Sequence, residues 1–140
     1  MIREVRPADR AGYQRMRLLL WPDCADSDID PWLARDDATT FVAERPDGTL
    51  CGFVEVGTRP YAEGCETSPV PYIEGWYVDD DGRRAGVGRS LLRAAEAWAR
   101  ARGHAEIASD ASLENTVSHE AHRRCGYAEV ERLVAFRKSL

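Results

Sequence analysis

The sequence predicts a single α/β domain, spanning residues 1–140, with a mixed sheet flanked by helices. Strand-like and helical patterns alternate along the chain in the order β-α-α-β-β-β-α-β-α-β. A length of 140 residues is that of one ordinary domain and is enough to bury a core. No internal repeat, low-complexity tract or linker divides the chain.

The first part of the chain predicts a strand followed by helices. Residues 2–6 alternate as a strand does, and Pro7 ends it. Asp9 is expected to cap a helix that runs to Trp21, where Pro22 stops it. A second helix is expected over residues 29–38.

The middle of the chain predicts a hairpin and a further strand. Residues 40–44 and 50–56 flank Pro46-Asp47-Gly48, whose turn chemistry joins two antiparallel strands. A loop over residues 59–71 then leads to a strand over residues 72–78. Gly75 interrupts that strand, and a glycine inside a strand often marks a bulge or a close approach by another group.

The last part predicts two helices and two strands. A glycine-rich loop opens an amphipathic helix that ends at Gly103. A strand follows over residues 104–109, then a helix over residues 114–124, and a last strand over residues 128–137.

Composition limits the classes of function. The chain carries 19 Lys and Arg against 24 Asp and Glu, for a net charge of -5, which argues against a nucleic-acid partner. The clustered acids are either a solvated face or a field that attracts a cationic small molecule. No segment approaches the roughly 20 apolar residues of a membrane span, and the start does not resemble a signal peptide. A cytoplasmic protein with four reduced cysteines is therefore expected.

The glycine-rich loop, Arg83 to Gly88, lies between a strand and a helix. Glycines let the backbone approach a ligand, and a helix N-terminus offers free N–H groups to an anion. The loop lacks the GK[ST] of a phosphate-transferring P-loop. A dinucleotide site would follow the first strand, whereas this loop follows the fourth. The residues alone therefore predict only that an anion binds near the N-terminus of a helix.

The order of motifs resembles the GNAT superfamily of N-acetyltransferases over essentially the whole chain. The motifs are Arg83-x-x-Gly86-x-Gly88 before a long helix, then Asn115, then Gly126-Tyr127. The resemblance implies a mostly antiparallel sheet whose fourth strand is bulged and splays from its neighbour. It also implies acetyl-CoA as co-substrate, with its pantetheine arm at Trp76, Tyr77 and Val78. The backbone amides of the loop would hold the pyrophosphate, and the loop residues are Arg83, Arg84, Ala85, Gly86, Val87 and Gly88. Arg89 and Ser90 would complete the first helical turn.

Five short segments are similar to aminoglycoside 6′-N-acetyltransferases within that superfamily. They are Leu20-Trp21-Pro22, Ser68-Pro69-Val70, Ile73-Glu74-Gly75, Ala108-Ser109-Asp110 and Glu114-Asn115-Thr116. The resemblance implies acetylation of the 6′-amine of an aminoglycoside, antibiotic resistance, and a homodimer. The dimer would use the last strands, whose edges need a partner.

Three carboxylates are candidates for the acceptor site. A neutral amine must attack the thioester, so a base is needed, and Glu74 is the candidate, directly or through water. Asp110, at the end of the next strand, is a candidate ligand of substrate amines. Glu131 on the last strand is a further candidate. The alternatives are a solvent-facing carboxylate for Glu74, turn capping for Asp110, and an exposed strand position for Glu131.

Aromatic and polar residues complete the predicted site. Trp21 and Tyr61 match aromatic positions that line the aminoglycoside pocket in similar enzymes, and the alternative for each is core packing. His122 lies seven residues after Asn115, where the superfamily commonly has a tyrosine, and is a candidate acid for the leaving thiolate. The alternative for His122 is a structural role. Asn115 either binds the pantetheine amide or caps the last helix. The remaining histidines have no ligand spacing, so no metal is expected.

Two other functions stay open from the sequence. The chain could acetylate another amine, such as a polyamine, an amino sugar or a peptide terminus, because acceptor choice depends on loops. It could also be a non-catalytic acyl-CoA or amine sensor on the same fold. Product formation separates the sensor from both enzymes.

Overall fold

The computed structural model describes residues 1–140, which form one five-stranded sheet with helices on both faces. The strands are β1 (Ile2–Glu4), β2 (Ala38–Glu44), β3 (Leu50–Arg59), β4 (Val70–Val78) and β5 (Ala108–Ser109). The helices are α1 (Arg10–Leu20), α2 (Ile29–Leu33), α3 (Val87–Ala101) and α4 (Thr116–Arg124). None of the helices is both long and apolar enough to cross a membrane.

The sheet has the order β1-β2-β3-β4-β5. The first four strands pair antiparallel, and β5 pairs parallel with β4. The predicted mixed and mostly antiparallel sheet is therefore confirmed. The turn Pro46-Asp47-Gly48 joins β2 to β3 as predicted, with Asp47 accepting the Thr49 N–H at 2.9 Å and Gly48 at φ +90°.

Helices cover both faces of the sheet. The apolar side of α3 places Leu91, Leu92 and Ala95 against Val54 and Ile73. On the opposite face, α1 contributes Tyr13 and Met16 to a cluster that includes Phe53 and Val42. Burial of each large side chain of this kind stabilises the fold by about 1.5–3 kcal/mol, and the two layers hold β3 and β4 rigidly at the centre.

Asp9 has a different role from the predicted helix cap. It precedes α1 in a helical conformation and caps none of the α1 amides. Its carboxylate instead accepts the Arg6 N–H at 2.7 Å and two N–H groups of Arg3. These bonds tie β1 to the short 3₁₀ turn Pro7–Asp9 before α1, and β1 itself ends at Glu4.

Two predicted elements are shorter than their sequence patterns. The helix expected over residues 29–38 ends at Leu33, because Thr39 and Thr40 pair with β3 and β-branched residues favour strands. The strand expected over residues 104–109 forms only at Ala108–Ser109. The preceding Glu106 uses its carboxylate to accept the N–H groups of Glu66 and Thr67 at 3.0 and 2.9 Å.

The predicted last strand does not form within this chain. Residues 128–137 have no strand partner, so the prediction is wrong for the single chain. Side chains there are exposed, with 69% of Val134 and 93% of Phe136 accessible to solvent. A strand needs a neighbour for its backbone N–H and C=O groups, and sequence periodicity cannot supply one.

Candidate active site

A bulge in β4 defines the centre of the site. Gly75 pairs with Glu55 and Ile73 pairs with Val56, so Glu74 is an extra residue between two paired positions. On its other edge, β4 pairs with β5 only at Tyr72 and Ile73. The two strands separate after that point, as the resemblance implies, and β4 from Glu74 to Val78 has no strand partner on that edge.

Trp21 lies against the bulge. A Cβ atom at Gly75 would be 2.4 Å from the Trp21 ring, so the absence of a side chain at Gly75 is what admits the indole. The ring also meets Phe53 edge-on, with centroids 6.1 Å apart, and the Arg17 guanidinium at 5.0 Å. Trp21 is therefore half-buried beside Glu74, between the rim position and the core position considered from sequence.

A buried ion pair supports Trp21 from below. Arg17 and Tyr13 both donate hydrogen bonds to the carboxylate of Glu55, whose residue is only 2% exposed. Burial raises the pKa of Glu55, against the opposing effect of these hydrogen bonds. The pair fixes the guanidinium under the indole, so the position of Trp21 depends on buried charges.

Glu74 is paired with an arginine. Nε and Nη2 of Arg59 donate to its two carboxylate oxygens at 2.8 and 2.6 Å. The same guanidinium lies 3.6 Å from the ring centroid of Tyr72. The Tyr72 hydroxyl donates to Asp110 at 2.7 Å. Two of the candidate carboxylates are thus connected through Arg59 and Tyr72.

A cavity of about 570 Å³ lies beside this connection. It brings together Asp110, His122 and Glu131, three of the predicted site residues. Trp21, Tyr61 and Glu74 do not line it. Tyr61 is 66% exposed on the 59–71 loop. The lining also includes Glu63 and Tyr72, which suit a cation, together with Arg59 and the ion pair of Glu129 with Arg132.

His122 has a defined hydrogen-bonding state. Its Nδ1 lies 2.7 Å from the carbonyl oxygen of Ser118, which can only accept, so Nδ1 carries a proton. Its Nε2 lies 2.8 Å from the hydroxyl oxygen of Ser109. When the ring is neutral, Nε2 accepts a hydrogen bond from that hydroxyl. The ring stands edge-on to Trp76 and Tyr127. His122 can therefore donate from Nε2 only as an imidazolium.

The glycine-rich loop presents a group of free backbone donors. The N–H groups of five residues donate no hydrogen bond within the chain, and they are those of Arg84, Gly86, Val87, Gly88 and Arg89. Gly86 adopts φ +81° at the start of α3, which glycine allows without strain. Donors at a helix N-terminus suit an anion such as a pyrophosphate.

Asp79 anchors the start of this loop. Its carboxylate accepts hydrogen bonds from Arg15 at 2.9 Å, Arg45 at 2.8 Å and the Tyr77 hydroxyl at 2.8 Å. Its backbone N–H donates to Cys51 at 2.7 Å. Burial raises the pKa of Asp79, but the three hydrogen bonds outweigh it and lower the pKa to about 2. The loop is therefore tied to α1 and to the β2–β3 hairpin.

The side chains of β4 near the loop serve packing. Trp76 donates from Nε1 to the carbonyl of Gly88 at 3.1 Å and packs beneath α3. Tyr77 points to the opposite face, where it stacks on Phe53. Val78 packs with the α3 layer. Along the open edge of β4, these three residues therefore offer a ligand mainly their backbone N–H and C=O groups.

The remaining predicted donor-site residues have diverse partners. Arg83 donates to the Val78 carbonyl at 2.9 Å, and Arg89 donates to the Arg124 carbonyl at 2.7 Å. Asn115 caps α4 by accepting the Ser118 N–H at 3.1 Å. Its Oδ1 therefore has the capping role considered from sequence, while its amide nitrogen has no partner.

Sequence reasoning missed four residues of the site. Arg59 and Tyr72 connect the carboxylates, Glu63 lines the cavity, and Ser109 bonds His122. Only Ser109 had a sequence signal, since it ends the predicted strand in the segment Ala108-Ser109-Asp110, which resembles the aminoglycoside acetyltransferases. Arg59 pairs with Val70 in the sheet, and its long side chain crosses the Tyr72 ring to reach Glu74, a contact that the sequence does not encode locally.

The fold, the bulged strand and the anion-binding loop together define an acyl-CoA-type transferase architecture. The chain belongs to the acetyltransferase (GNAT) family, whose model matches residues 6–127. The superfamily prediction is confirmed by this match.

Two relatives of high sequence identity have the same name. The chain is 45% identical to aminoglycoside N(6′)-acetyltransferase type 1 of Stenotrophomonas maltophilia, covering 99% of this chain and 93% of that protein. It is 44% identical to the protein of the same name from Klebsiella aerogenes, covering 100% and 97%. The predicted similarity to aminoglycoside 6′-N-acetyltransferases is thereby confirmed.

Two solved structures of aminoglycoside 6′-N-acetyltransferases are similar to this chain over its whole length. AAC(6′)-Iy in complex with the bisubstrate analog CoA-S-monomethyl-acetylneamine has a TM-score of 0.92 and 34% identity, covering 100% of this chain and 98% of that one. Aminoglycoside antibiotic 6′-N-acetyltransferase AAC(6′)-Ih from Acinetobacter baumannii has a TM-score of 0.93 and 30% identity, with coverage of 100% and 98%.

Proposed function

We propose that this protein transfers the acetyl group of acetyl-CoA to the 6′-amino group of aminoglycosides, and that it thereby gives antibiotic resistance. The observation that carries the proposal is full-length similarity, at 44–45% identity, to proteins named for that reaction. A loop with free backbone N–H groups and a cavity lined by several acids agree with it, because one substrate carries a pyrophosphate and the other is a polycation. The whole chain, residues 1–140, acts as one acetyltransferase domain.

The donor binds along the open edge of β4. The free N–H groups of the loop hold the pyrophosphate, and α3 contributes the positive end of its dipole. The pantetheine arm lies beside the backbone of Trp76, Tyr77 and Val78, where no strand competes for hydrogen bonds. Arg84 has no ion pair and is available to a phosphate oxygen. Asn115 offers its amide nitrogen to the same arm.

The acceptor binds in the acid-lined cavity. Asp110 and Glu131, which line the cavity, receive ammonium groups of the sugar, and the reacting amine reaches Glu74, which lies outside the cavity and is paired with Arg59. Trp21 and Tyr61 supply aromatic surface to sugar C–H groups and ammonium groups. This arrangement orients the amine and the thioester for attack in a ternary complex.

The chemical step needs one base and one acid. Glu74, directly or through water, takes a proton from the ammonium group, and the neutral nitrogen attacks the thioester carbonyl carbon. The C–N bond forms as the C–S bond breaks, the sulfur leaves as a thiolate, and the acetylated nitrogen releases its second proton to water. His122 in its imidazolium form gives the thiolate a proton, with the Ser109 hydroxyl as its hydrogen-bond partner.

The protein is proposed to act as a homodimer. Four apolar side chains of the C-terminal segment are at least half exposed, namely Val130, Leu133, Val134 and Phe136. An extended segment with unpaired backbone and exposed apolar side chains is suited to pairing with a second copy. Val130 also packs against Gly64, so the segment begins over the loop that borders the cavity.

The cytoplasm is the proposed location, because acetyl-CoA is an intracellular substrate and all four cysteines are free. The proposed reaction uses acetyl-CoA as its only co-substrate and needs neither a metal ion nor nucleic acid.

An assay of thiol release across a panel of amines tests the proposed acceptor. With acetyl-CoA and the purified protein, aminoglycosides that carry a 6′-amine should give rapid thiol release. Linear polyamines, simple amino sugars and peptides should give little. Faster release with a polyamine than with every aminoglycoside would assign the protein to another acceptor, and binding without any release would make it a sensor.

A further inference from the structure

The pairing of Glu74 with Arg59 has a consequence for how a cationic acceptor enters the site. Both carboxylate oxygens of Glu74 accept hydrogen bonds from one planar guanidinium. Bidentate pairs of this kind are among the stronger charge-assisted hydrogen bonds in proteins. An ammonium group that seeks Glu74 therefore meets a carboxylate that already has a cation.

Arg59 also lies between Glu74 and the cavity. Arg59 is one of the cavity-lining residues, whereas Glu74 is not. The Arg59 side chain is 41% exposed, against 24% for that of Glu74. The guanidinium is held over Tyr72 at 3.6 Å from the ring centroid, so its position is supported on two sides.

We propose that Arg59 is a specificity-determining residue, an internal cation that occupies Glu74 and that the reacting ammonium of the acceptor must displace. This inference rests on the proposed function and deepens it. Of the other acids of the cavity, Glu129 is paired with Arg123 and Arg132, whereas three have no arginine bound to them and can hold the remaining ammonium groups of a polycation, namely Glu63, Asp110 and Glu131. A polycationic acceptor thus gains enough from these acids to displace Arg59, whereas a simple amine gains little.

Displacement of Arg59 predicts a difference between two matched ligands. An aminoglycoside with a 6′-amine has to displace Arg59 from Glu74. Its counterpart with a 6′-hydroxyl has the same remaining charges but no cation for Glu74. Removal of the arginine should therefore favour only the first ligand, while a general change of charge would affect both.

The test is calorimetric titration of the CoA-bound protein with the 6′-amino and 6′-hydroxy forms of one aminoglycoside. Arg59→Met removes the charge and keeps an apolar chain of similar length against Tyr72. We expect it to lower the Kd of the 6′-amino ligand about three- to tenfold, with less than a twofold change for the 6′-hydroxy ligand. Arg59→Lys keeps a competing cation and should give a smaller gain.

Arg10→Met is the matched control. Arg10 also donates to both carboxylate oxygens of one acid, Asp30, and its side chain is 38% exposed, yet it does not line the cavity. Its replacement should leave both Kd values unchanged. Unchanged or weaker binding of the 6′-amino ligand by a folded Arg59→Met protein would overturn the inference, as would equal tightening of both ligands. Failure of the wild-type protein to acetylate any aminoglycoside would instead refute the proposed function.

Discussion

Glu74 has its position because β4 contains one residue more than β3 at the bulge. The backbone on either side is paired with Glu55 and Val56, so the extra residue projects from a rigid frame. Gly75 removes a side chain where Trp21 must lie, which brings an aromatic ring next to the carboxylate. The local chemistry of the site thus depends on a strand irregularity rather than on a flexible loop.

Replacement of Glu74 tests its role as the base. Glu74→Gln keeps the shape of the side chain but cannot take a proton from the ammonium group, so kcat should fall about 100-fold or more. The KM for acetyl-CoA should change less than twofold, because the donor is held by the loop. Steady-state kinetics with separate variation of both substrates gives both values.

Glu66→Gln is the control for that experiment. Glu66 is an exposed residue of the 59–71 loop whose carboxylate makes no hydrogen bond, so its replacement removes the same charge outside the site. Its kcat should equal that of the wild type. If Glu74→Gln retained at least half of the wild-type kcat, Glu74 would have no role as a base.

At the scale of the element, the start of α3 combines two independent features. The loop backbone leaves amides free, and Asp79 fixes the loop through three side-chain hydrogen bonds. A flexible loop would lose entropy on binding a pyrophosphate, whereas a fixed one has been ordered during folding. The two features can be tested separately.

A substitution in the loop tests the anion site. Gly86→Asp places a negative charge and a side chain among the free amides, and we expect the Kd for CoA to rise at least about tenfold. Gly103→Asp is a close control, because both glycines have positive φ values, +81° and +86°, and open space around the missing Cβ. Titration of both variants with CoA makes the comparison, and equal affinities would contradict the assignment of the loop.

The anchor predicts a dependence of stability on pH. Hydrogen bonds from Arg15, Arg45 and Tyr77 outweigh the effect of burial and depress the pKa of Asp79 to about 2, below the value of about 3.9 of an unfolded chain. A depressed pKa stabilises the folded state above pH 4, and the contribution is lost as the pH falls from 4 to 2. Asp79→Asn should cost about 1–2 kcal/mol at pH 7.

Urea denaturation of the wild type and of Asp79→Asn across this range measures the effect. The difference in the free energy of unfolding should be constant from pH 5 to 7 and should shrink toward pH 2. Asp36→Asn serves as the control, since Asp36 is exposed and only its backbone carbonyl, not its carboxylate, accepts a hydrogen bond. A difference that grew as the pH fell would contradict the ion-paired state of Asp79.

The sequence predicts the elements whose signals are local. Gly75 indicated the bulge, the glycines of the loop indicated an anion site, and the turn chemistry of Pro46-Asp47-Gly48 indicated the β2–β3 hairpin. The strand over residues 128–137 could not be judged in this way, because a strand exists only beside a partner. The Arg59–Glu74 pair was missed for a related reason, since Arg59 lies opposite Val70 and reaches the bulged Glu74 only by the tertiary path of its side chain across Tyr72.

At the scale of the whole molecule, the C-terminal segment is the part that a single chain leaves incomplete. The substitution pair Val134→Glu and Phe136→Glu puts two charges where exposed apolar side chains would pack on a second copy. We expect a shift from dimer to monomer in sedimentation velocity, because unpaired buried charges are strongly unfavourable.

Val117→Glu provides the comparison for the dimer experiment. Val117 is 79% exposed on α4, outside the C-terminal segment, and its replacement should leave the dimer intact. A wild-type protein that sediments as a monomer at micromolar concentration would contradict the proposed homodimer.

The central claim concerns the nitrogen that receives the acetyl group. Mass spectrometry with fragmentation, after incubation of an aminoglycoside with acetyl-CoA and the protein, locates that nitrogen directly. The proposed function predicts one added acetyl group, placed on the 6′-nitrogen, and no product from the 6′-hydroxy counterpart. An acetyl group on any other nitrogen, or an unmodified aminoglycoside, would contradict it.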